Sequence, residues 1–271
     1  ELRDFDGAWS ALQRARALMP SNGDCLGTLA RCWLDQLRLP EALASYDEAV
    51  VAQPAYMPLR YNRGLARLLN GDLPGGFADY ETRWQVPDFP SKRLVTDKPQ
   101  WDGQPLPTGT LLLHAEQGLG DTLQMLRYLP QAAARVGQIW LLIQAPLRGL
   151  VQLPPNVRLL EDGQKLPAFD AVCPLLSLPY LFGTDILNIP APIPYLQVDE
   201  ARQEHWRQRL ANSAPAGTRK IGLTWAGNPS HRNDANRSLP FEQLAQLLKL
   251  PGIQWFALQV GNGREALAQH P

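Results

Sequence analysis

What the sequence lacks narrows its class before any motif is read. No stretch is long and apolar enough to cross a bilayer, and the opening Glu-Leu-Arg-Asp-Phe-Asp-Gly is too charged for a signal peptide. There is no charge imbalance: 26 Lys and Arg face 26 Asp and Glu, without a basic run. Nucleic acid and anionic membrane surfaces are therefore poor candidates for the main partner, and any anion site must be local. Cysteine is scarce. Cys25, Cys32 and Cys173 cannot all pair, and none stands in a Cys-x-x-Cys or beside clustered histidines, so free thiols in a reducing cytosol are expected and no metal site is visible. An initiator Met is missing too, and the pattern starts in mid-repeat, so a fragment of a cytoplasmic protein is expected.

What is present is ordinary globular material, 45% apolar over 271 residues, enough for two domains. The first ninety or so residues repeat. Pro20 and Pro54 are 34 positions apart, and Ala8, Leu12 and Ala15 in one copy answer to Ala42, Tyr46 and Ala49 in the next. That is the second-helix signature of a tetratricopeptide repeat, in which small residues sit where helices touch and Pro closes the hairpin. Leu26, Leu29, Ala30 and Trp33 supply a first helix, and Tyr61, Asn62 and Gly64 mark a third copy. That copy departs from the pattern at Gly75-Gly76 and at Arg83-Trp84, as a terminal repeat adapted to pack on another domain would. Pro87 to Pro107 holds five prolines and reads as an extended connector pinned by Trp84 and Trp101.

From Thr110 strands alternate with helices, which implies a parallel sheet. Strands are predicted at Thr110 to His114, Ile139 to Gln144, Val157 to Leu160 and Asp170 to Cys173, with helices near Leu123 to Arg135 and Pro146 to Leu153. A charged helix anchored by Trp206 is expected over Ala201 to Leu210. A second unit then begins with a strand at Lys220 to Thr224, a helix at Phe241 to Leu250 and a strand at Gln254 to Gln259. The expected fold is α/β with an all-α arm: residues 1–86 the repeat arm, 87–109 the connector, 110–212 a first Rossmann-like domain and 213–271 the start of a second, too short to close a doubly wound sheet.

Two turns carry the chemistry. In the first, Gly118 and Gly120 allow positive φ and close approach of a ligand, and Asp121 or Thr122 can cap the next helix. In the second, Gly227 offers backbone N–H groups, Asn228, Ser230 and Asn236 offer polar donors, Arg232 and Arg237 offer cations, and Ser238 suits a helix cap. His231, like Arg232, also fits a plain surface position. A dinucleotide-dependent oxidoreductase is disfavoured: Leu123 stands where Gly118-Leu-Gly120 would need its third glycine, and no acidic residue closes a second strand.

The run His-Ala-Glu-Gln-Gly-Leu-Gly-Asp-Thr-Leu-Gln from His114, with Gly-Leu-Thr-Trp-Ala-Gly-Asn-Pro from Gly222 and Asn-Asp-Ala-Asn-Arg-Ser-Leu-Pro from Asn233, resembles the bacterial tetratricopeptide-repeat glycosyltransferases. These are similar in fold to the heptosyltransferases and, more distantly, to O-GlcNAc transferase. The resemblance extends from about Gly7 to the end, and Leu-Leu-Ser-Leu-Pro from Leu175 shares it. It implies a GT-B arrangement, with acceptor on the first Rossmann-like unit and the arm, and a nucleotide diphosphate sugar on the second.

It further implies a metal-independent, inverting transfer of sugar to a hydroxyl, on protein or glycan, with no cofactor beyond the donor. Asp121 matches the family's catalytic Asp, with a helix cap as its other reading, and Arg237 matches its phosphate-binding basic residue. His114 is an alternative base or a strand-end histidine satisfied by backbone. Glu116 and Gln117 either meet acceptor hydroxyls or orient the turn. The rival reading is an inactive repeat scaffold or nucleotide-sugar-binding protein. The fragment alone is not expected to turn over.

Overall fold

The computed structural model describes residues 5–269 except 88, 162, 214, 216 and 232. The chain forms a mixed α/β structure with a helical N-terminal region and a parallel sheet, divided into two compact units, Glu1–Gln197 and Val198–Pro271. Among the described residues no helix is long and apolar enough to cross a membrane.

The first unit opens with helices α1 (Phe5–Leu18), α2 (Gly23–Asp35), α3 (Leu39–Ala52), α4 (Met57–Leu69) and α5 (Leu73–Tyr80), successive helices packing on one another. Asn22 caps α2 by accepting from the Cys25 N–H, Asp72 caps α5 through the Gly75 N–H, and Pro40, Pro58 and Pro74 occupy first-turn positions where no N–H is needed. Ala30, Ala42, Tyr46, Ala49 and Ala66 are fully buried between helices, so the small-residue positions are contact positions. At Gly76 a Cβ would come within 2.7 Å of the Leu68 side chain, which is why α4 and α5 approach so closely there. A 3-10 turn, Glu81–Gln85, continues from α5.

The sheet follows as β1 (Leu106–His114), α6 (Leu119–Met125), α7 (Leu129–Ala133), β2 (Val136–Leu142), β3 (Val157–Leu159), β4 (Ala171–Pro174) and a short α8 (Leu178–Leu181). All pairings are parallel and the order is β3-β2-β1-β4. Leu111 and Leu113 of β1 join one buried cluster while Leu112 joins another with Leu160 and Val172, so β1 is buried on both faces as its unbroken apolar run requires. The connector is less structureless than its prolines suggest. Gln100 bridges Val172 in parallel, the Trp101 N–H donates to the Val172 carbonyl, and the Trp101 ring is buried, so the segment extends the sheet beyond β4.

Two predicted helices of this unit are broken. Pro130, which lacks a donor, separates α6 from α7 through a 3-10 turn at Leu126–Tyr128, and Ala145–Leu150 is 3-10 rather than α.

The second unit contains α9 (Glu200–Ala211), β5 (Arg219–Leu223), α10 (Phe241–Ala245) and β6 (Ile253–Ala257), with β5 and β6 parallel. α10 is shorter than the sequence pattern suggests, passing into a 3-10 turn at Leu247–Lys249. Trp206 does not anchor α9: it is 53% exposed, packed beside His205 and under Arg209, because none of the described residues of α9 is buried.

Candidate functional site

In the first unit, β2 and β3 lie on one side of β1 and β4 on the other, so the chain reverses its direction of sheet growth at β1. Ligand crevices of open α/β sheets form outside the carboxyl end of a strand at such a switch point. The carboxyl end of β1 leads into His114, Ala115, Glu116, Gln117 and Gly118, and then α6.

The positive backbone angle of this turn falls on Gln117, with φ 61°, and on neither Gly118, at φ −83°, nor Gly120. A non-glycine residue held left-handed costs free energy and persists only where its surroundings over-determine it. Those surroundings are present. The Gln117 N–H donates to Ser91 Oγ at 2.9 Å, its carbonyl accepts from Gln144 Nε2 at 3.3 Å, and its side-chain amide donates to the Tyr80 hydroxyl. Gly118 and Gly120 serve space instead. Both are exposed, and a Cβ at Gly120 would meet nothing within 4 Å, leaving the backbone open to a ligand.

Beneath the turn lies a buried ion cluster. Arg83, 0% exposed, donates through Nη2 to Glu116 Oε1 at 2.9 Å and Ser177 Oγ at 2.8 Å, through Nε to Glu116 Oε2 at 3.3 Å, and through Nη1 to Glu81 Oε1 at 2.7 Å. Ser177 in turn donates to Glu81 Oε2 at 2.9 Å. The guanidinium packs against the rings of Tyr80 and Trp84. Burial pushes the Glu116 carboxyl up against the pull of Arg83, while burial works against the Arg83 charge and the two carboxylates nevertheless carry its pKa up. The cluster joins the end of the helical region, the β1 turn and the exit of β4, three segments far apart in sequence. Glu116, its side chain 1% exposed, thus orients the turn from below and does not face the pocket described next. Arg83 was visible in the sequence only as a departure from the repeat pattern.

Above the turn a pocket of about 330 Å³ opens between α4, α5 and α6. Gln117, Asp121 and Gln124 line it from the turn and α6; Tyr61, Leu65, Leu68, Leu73 and Phe77 line it from the helical region. Asp121 Oδ2 accepts from the Gly118 N–H at 2.9 Å, which closes the first turn of α6 and fixes the carboxylate in orientation. Gly118, and not Asp121, therefore holds the N-cap of α6; Asp121 is the third residue of the helix, reaching back to the cap N–H, and the same carboxylate borders the pocket. Tyr61 stands near it: burial pushes the phenol up, with the Asp121 charge adding to the shift. The sequence marked Tyr61 only as a repeat position.

His114 is buried at the strand end with Leu142 and Pro174 beside it, its Nδ1 3.1 Å from the Ala115 carbonyl oxygen, and it does not line this pocket. Burial pushes its pKa down, favouring neutral imidazole.

In the second unit the loop after β5 is shaped mainly by side-chain bonds. Ser238 Oγ accepts from the Gly227 N–H at 2.9 Å and donates to Asp234 Oδ1 at 2.8 Å. Ser238 is thus a loop brace rather than a helix cap; Pro240 holds the cap position of α10, and the Gly227 N–H is already engaged. Asn228 Oδ1 accepts from both N–H and Oγ of Ser230, and Asn236 donates to Asn233. His231 is exposed, and its Nδ1 accepts from the Asn233 N–H. Buried Gln259, after β6, accepts from the Trp225 and Ala226 N–H groups at 2.9 and 3.1 Å and donates to the Ala226 and Asn262 carbonyls. Nothing in the local sequence signals that role. Arg237 is exposed, with no side-chain hydrogen bond or ion pair among the described residues; Arg232 lies outside them. Among the described residues no group of three or more His, Cys, Asp or Glu is placed to hold a metal ion.

No family model matches the chain. Protein FlbA of Caulobacter vibrioides is 23% identical over 286 aligned positions, covering 84% of this chain and 47% of its own length, so the chain spans about half of that relative. Among solved structures, a mutant O-GlcNAc transferase of Thermobaculum terrenum aligns with 13% identity and a TM-score of 0.31, over 51% of this chain and 34% of that one.

Proposed function

We propose that the chain is part of a glycosyltransferase of GT-B type with a tetratricopeptide arm, moving a sugar from a nucleoside diphosphate donor to a hydroxyl. The observation that carries this reading is the placement of Asp121: a carboxylate held in fixed orientation by the Gly118 N–H, bordering a pocket at the carboxyl end of the switch-point strand. The Gly-Leu-Gly-Asp run that forms this turn is also the core of the family resemblance.

In the proposed reaction the acceptor hydroxyl enters beside Asp121. As its oxygen attacks the anomeric carbon, its proton passes to the Asp121 carboxylate and the bond from that carbon to the diphosphate oxygen breaks, with inversion. His114, buried beneath the strand end, has no part in this step; its neutral ring braces the turn. Glu116 and Gln117 hold the turn's shape. The charge developing on the leaving diphosphate calls for cations and donors without a metal, and in the second unit Arg237, His231, Asn228, Ser230 and Asn236 are exposed for that purpose.

The test uses the full-length gene product with a panel of nucleoside diphosphate sugars, scoring release of free nucleoside diphosphate. Turnover with one donor, lost in Arg237→Ala through a raised KM for that donor, supports the reading. If no donor is turned over while one raises the melting temperature, the protein is a nucleotide-sugar-binding scaffold and the reading falls.

A further inference from the structure

The 3-10 turn after α5 and the proline-rich connector enclose a second pocket, of about 280 Å³, against the exit of β4. It shares no lining residue with the pocket beside Asp121. Trp101 is buried in its wall, Glu81 and Trp84 are half-buried there, and Gln85, Arg93 and Gln100 line it from exposed positions. We infer that this pocket binds a small zwitterion of the amino-acid class, with the ligand's ammonium group on the Glu81 carboxylate and its carboxylate on Arg93.

The charges of the site call for a ligand that carries both signs. Arg83 is the ion-pair partner of both Glu81 and Glu116, so the cluster sets one cation against two carboxylates. Glu116 is sealed away with its side chain 1% exposed, whereas the Glu81 side chain is 30% exposed and borders the pocket. The excess negative charge is therefore open to a ligand at Glu81, where an ammonium group offsets it. The rings of Trp84 and Trp101 in the same wall also favour a cation. Arg93 bears the opposite charge and has no side-chain hydrogen bond or ion pair among the described residues, and the same is true of the Gln85 and Gln100 amides as hydrogen-bonding groups.

Other ligand classes match only part of this set. A simple anion would meet Glu81, a simple amine would leave Arg93 without a partner, and a neutral sugar would use the amides but match neither charge. The volume lies at the lower end for ligand pockets, which suits a small molecule. The pocket is held open independently of any ligand: Ser177 donates to Glu81 and accepts from Arg83, and the Trp101 ring donates through Nε1 to the Gln104 carbonyl.

The probes are L-alanine, β-alanine and 4-aminobutyrate, which hold ammonium and carboxylate at increasing spacing, with propylamine and propionate as single-charge partners and methyl glucoside as a neutral one. The chain, isotope-labelled at tryptophan, reports binding through its indole N–H resonances, those of Trp84 and Trp101 being identified by Phe substitution. At least one zwitterion should shift both signals saturably, leave that of exposed Trp206 in place, and bind about fivefold or more tighter than either single-charge partner. Arg93→Ala, at an exposed position, should remove that advantage and leave propylamine binding unchanged. Glu81→Gln should weaken the zwitterion and propylamine alike; if that variant does not fold, Arg93→Ala still decides.

The inference is overturned if no zwitterion moves either indole signal up to its solubility limit, if methyl glucoside or propylamine binds as tightly as the best zwitterion, or if Arg93→Ala leaves zwitterion binding intact. None of these readouts involves sugar transfer, so the inference and the transferase reading stand or fall separately.

Discussion

The turn after β1 and the loop after β5 occupy equivalent places, each at the carboxyl end of the first strand of its unit, and they are held by different means. The β1 turn is fixed from below by a buried ion cluster and from the side by Ser91, Tyr80 and Gln144, all supplied by other segments. The β5 loop is hydrogen-bonded largely by its own residues, Gly227 to Ser238 to Asp234, with Gln259 bracing Trp225 and Ala226 from beyond β6 and the Trp225 ring packed against Phe241. Under the proposed function, the first arrangement suits a base held in register with its acceptor, and the second suits a loop that can adapt around an anion.

The largest effect that would break this comparison lies at Arg83. Arg83→Met leaves Glu116 and Glu81 without their cation and should destabilise the first unit by about 3–5 kcal/mol, read from urea unfolding. Adding Glu116→Leu to that variant should restore part of the loss, because no charge at the turn then stays buried unpaired. A small loss in the single variant would mean the turn is not held from below.

At the other site, Gln259→Ala should cost about 1–3 kcal/mol in the second unit alone, as two backbone N–H groups lose their acceptor. Amide exchange in the same samples should sharpen the contrast, with slower exchange across residues 117–122 than across 227–238 in the parent.

A pH experiment probes His114. Its pKa is held below the ordinary value of 6.5 in the fold, so near pH 6.5 the unfolded chain gains a proton that the folded chain resists. The histidine's contribution is therefore complete above about pH 6.5 and is lost as pH falls through and below that value. The parent's stability should drop relative to that of His114→Gln between about pH 7.5 and 5.5. Glu116, pushed up by burial, acts in the opposite sense, and the difference between the two proteins cancels it. The smallest effect belongs to Arg237→Ala, which should change stability by no more than about 0.5 kcal/mol because the side chain is exposed and touches no described partner.

Much of this architecture is legible in the sequence because it is written locally. The apolar run at Thr110 to His114 lies in β1 and that from Ile139 overlaps β2, which is shifted to Val136–Leu142, and the alternation of strand and helix leads to a parallel sheet with β1 central. Alanines at helix contacts and the hairpin-closing Pro20 and Pro54 reveal the helical region in the same way. Helix interiors are less legible, since Pro130 breaks one apolar stripe that periodicity alone runs together.

The candidate site divides along the same line. Asp121 and the turn can be read from a single run of residues. The left-handed angle cannot, because it falls on Gln117 beside two glycines that would bear it more cheaply, and it is imposed by Ser91, Tyr80 and Gln144 from elsewhere in the chain. Arg83 and Glu116, 33 positions apart, leave no periodic trace of their pairing; the replaced small residue of the third repeat is the only hint. Gln259 leaves none.

The most direct test of the account is the rate of sugar transfer by the full-length protein and by its Asp121→Asn variant, with the donor found by nucleotide release. Asparagine keeps an oxygen for the Gly118 N–H, so the turn should stay folded, with a melting temperature and donor affinity close to the parent's. The account predicts that kcat falls by about 100-fold or more while donor KM holds, the loss expected when a general base is removed. Transfer at the parent's rate by Asp121→Asn would contradict it.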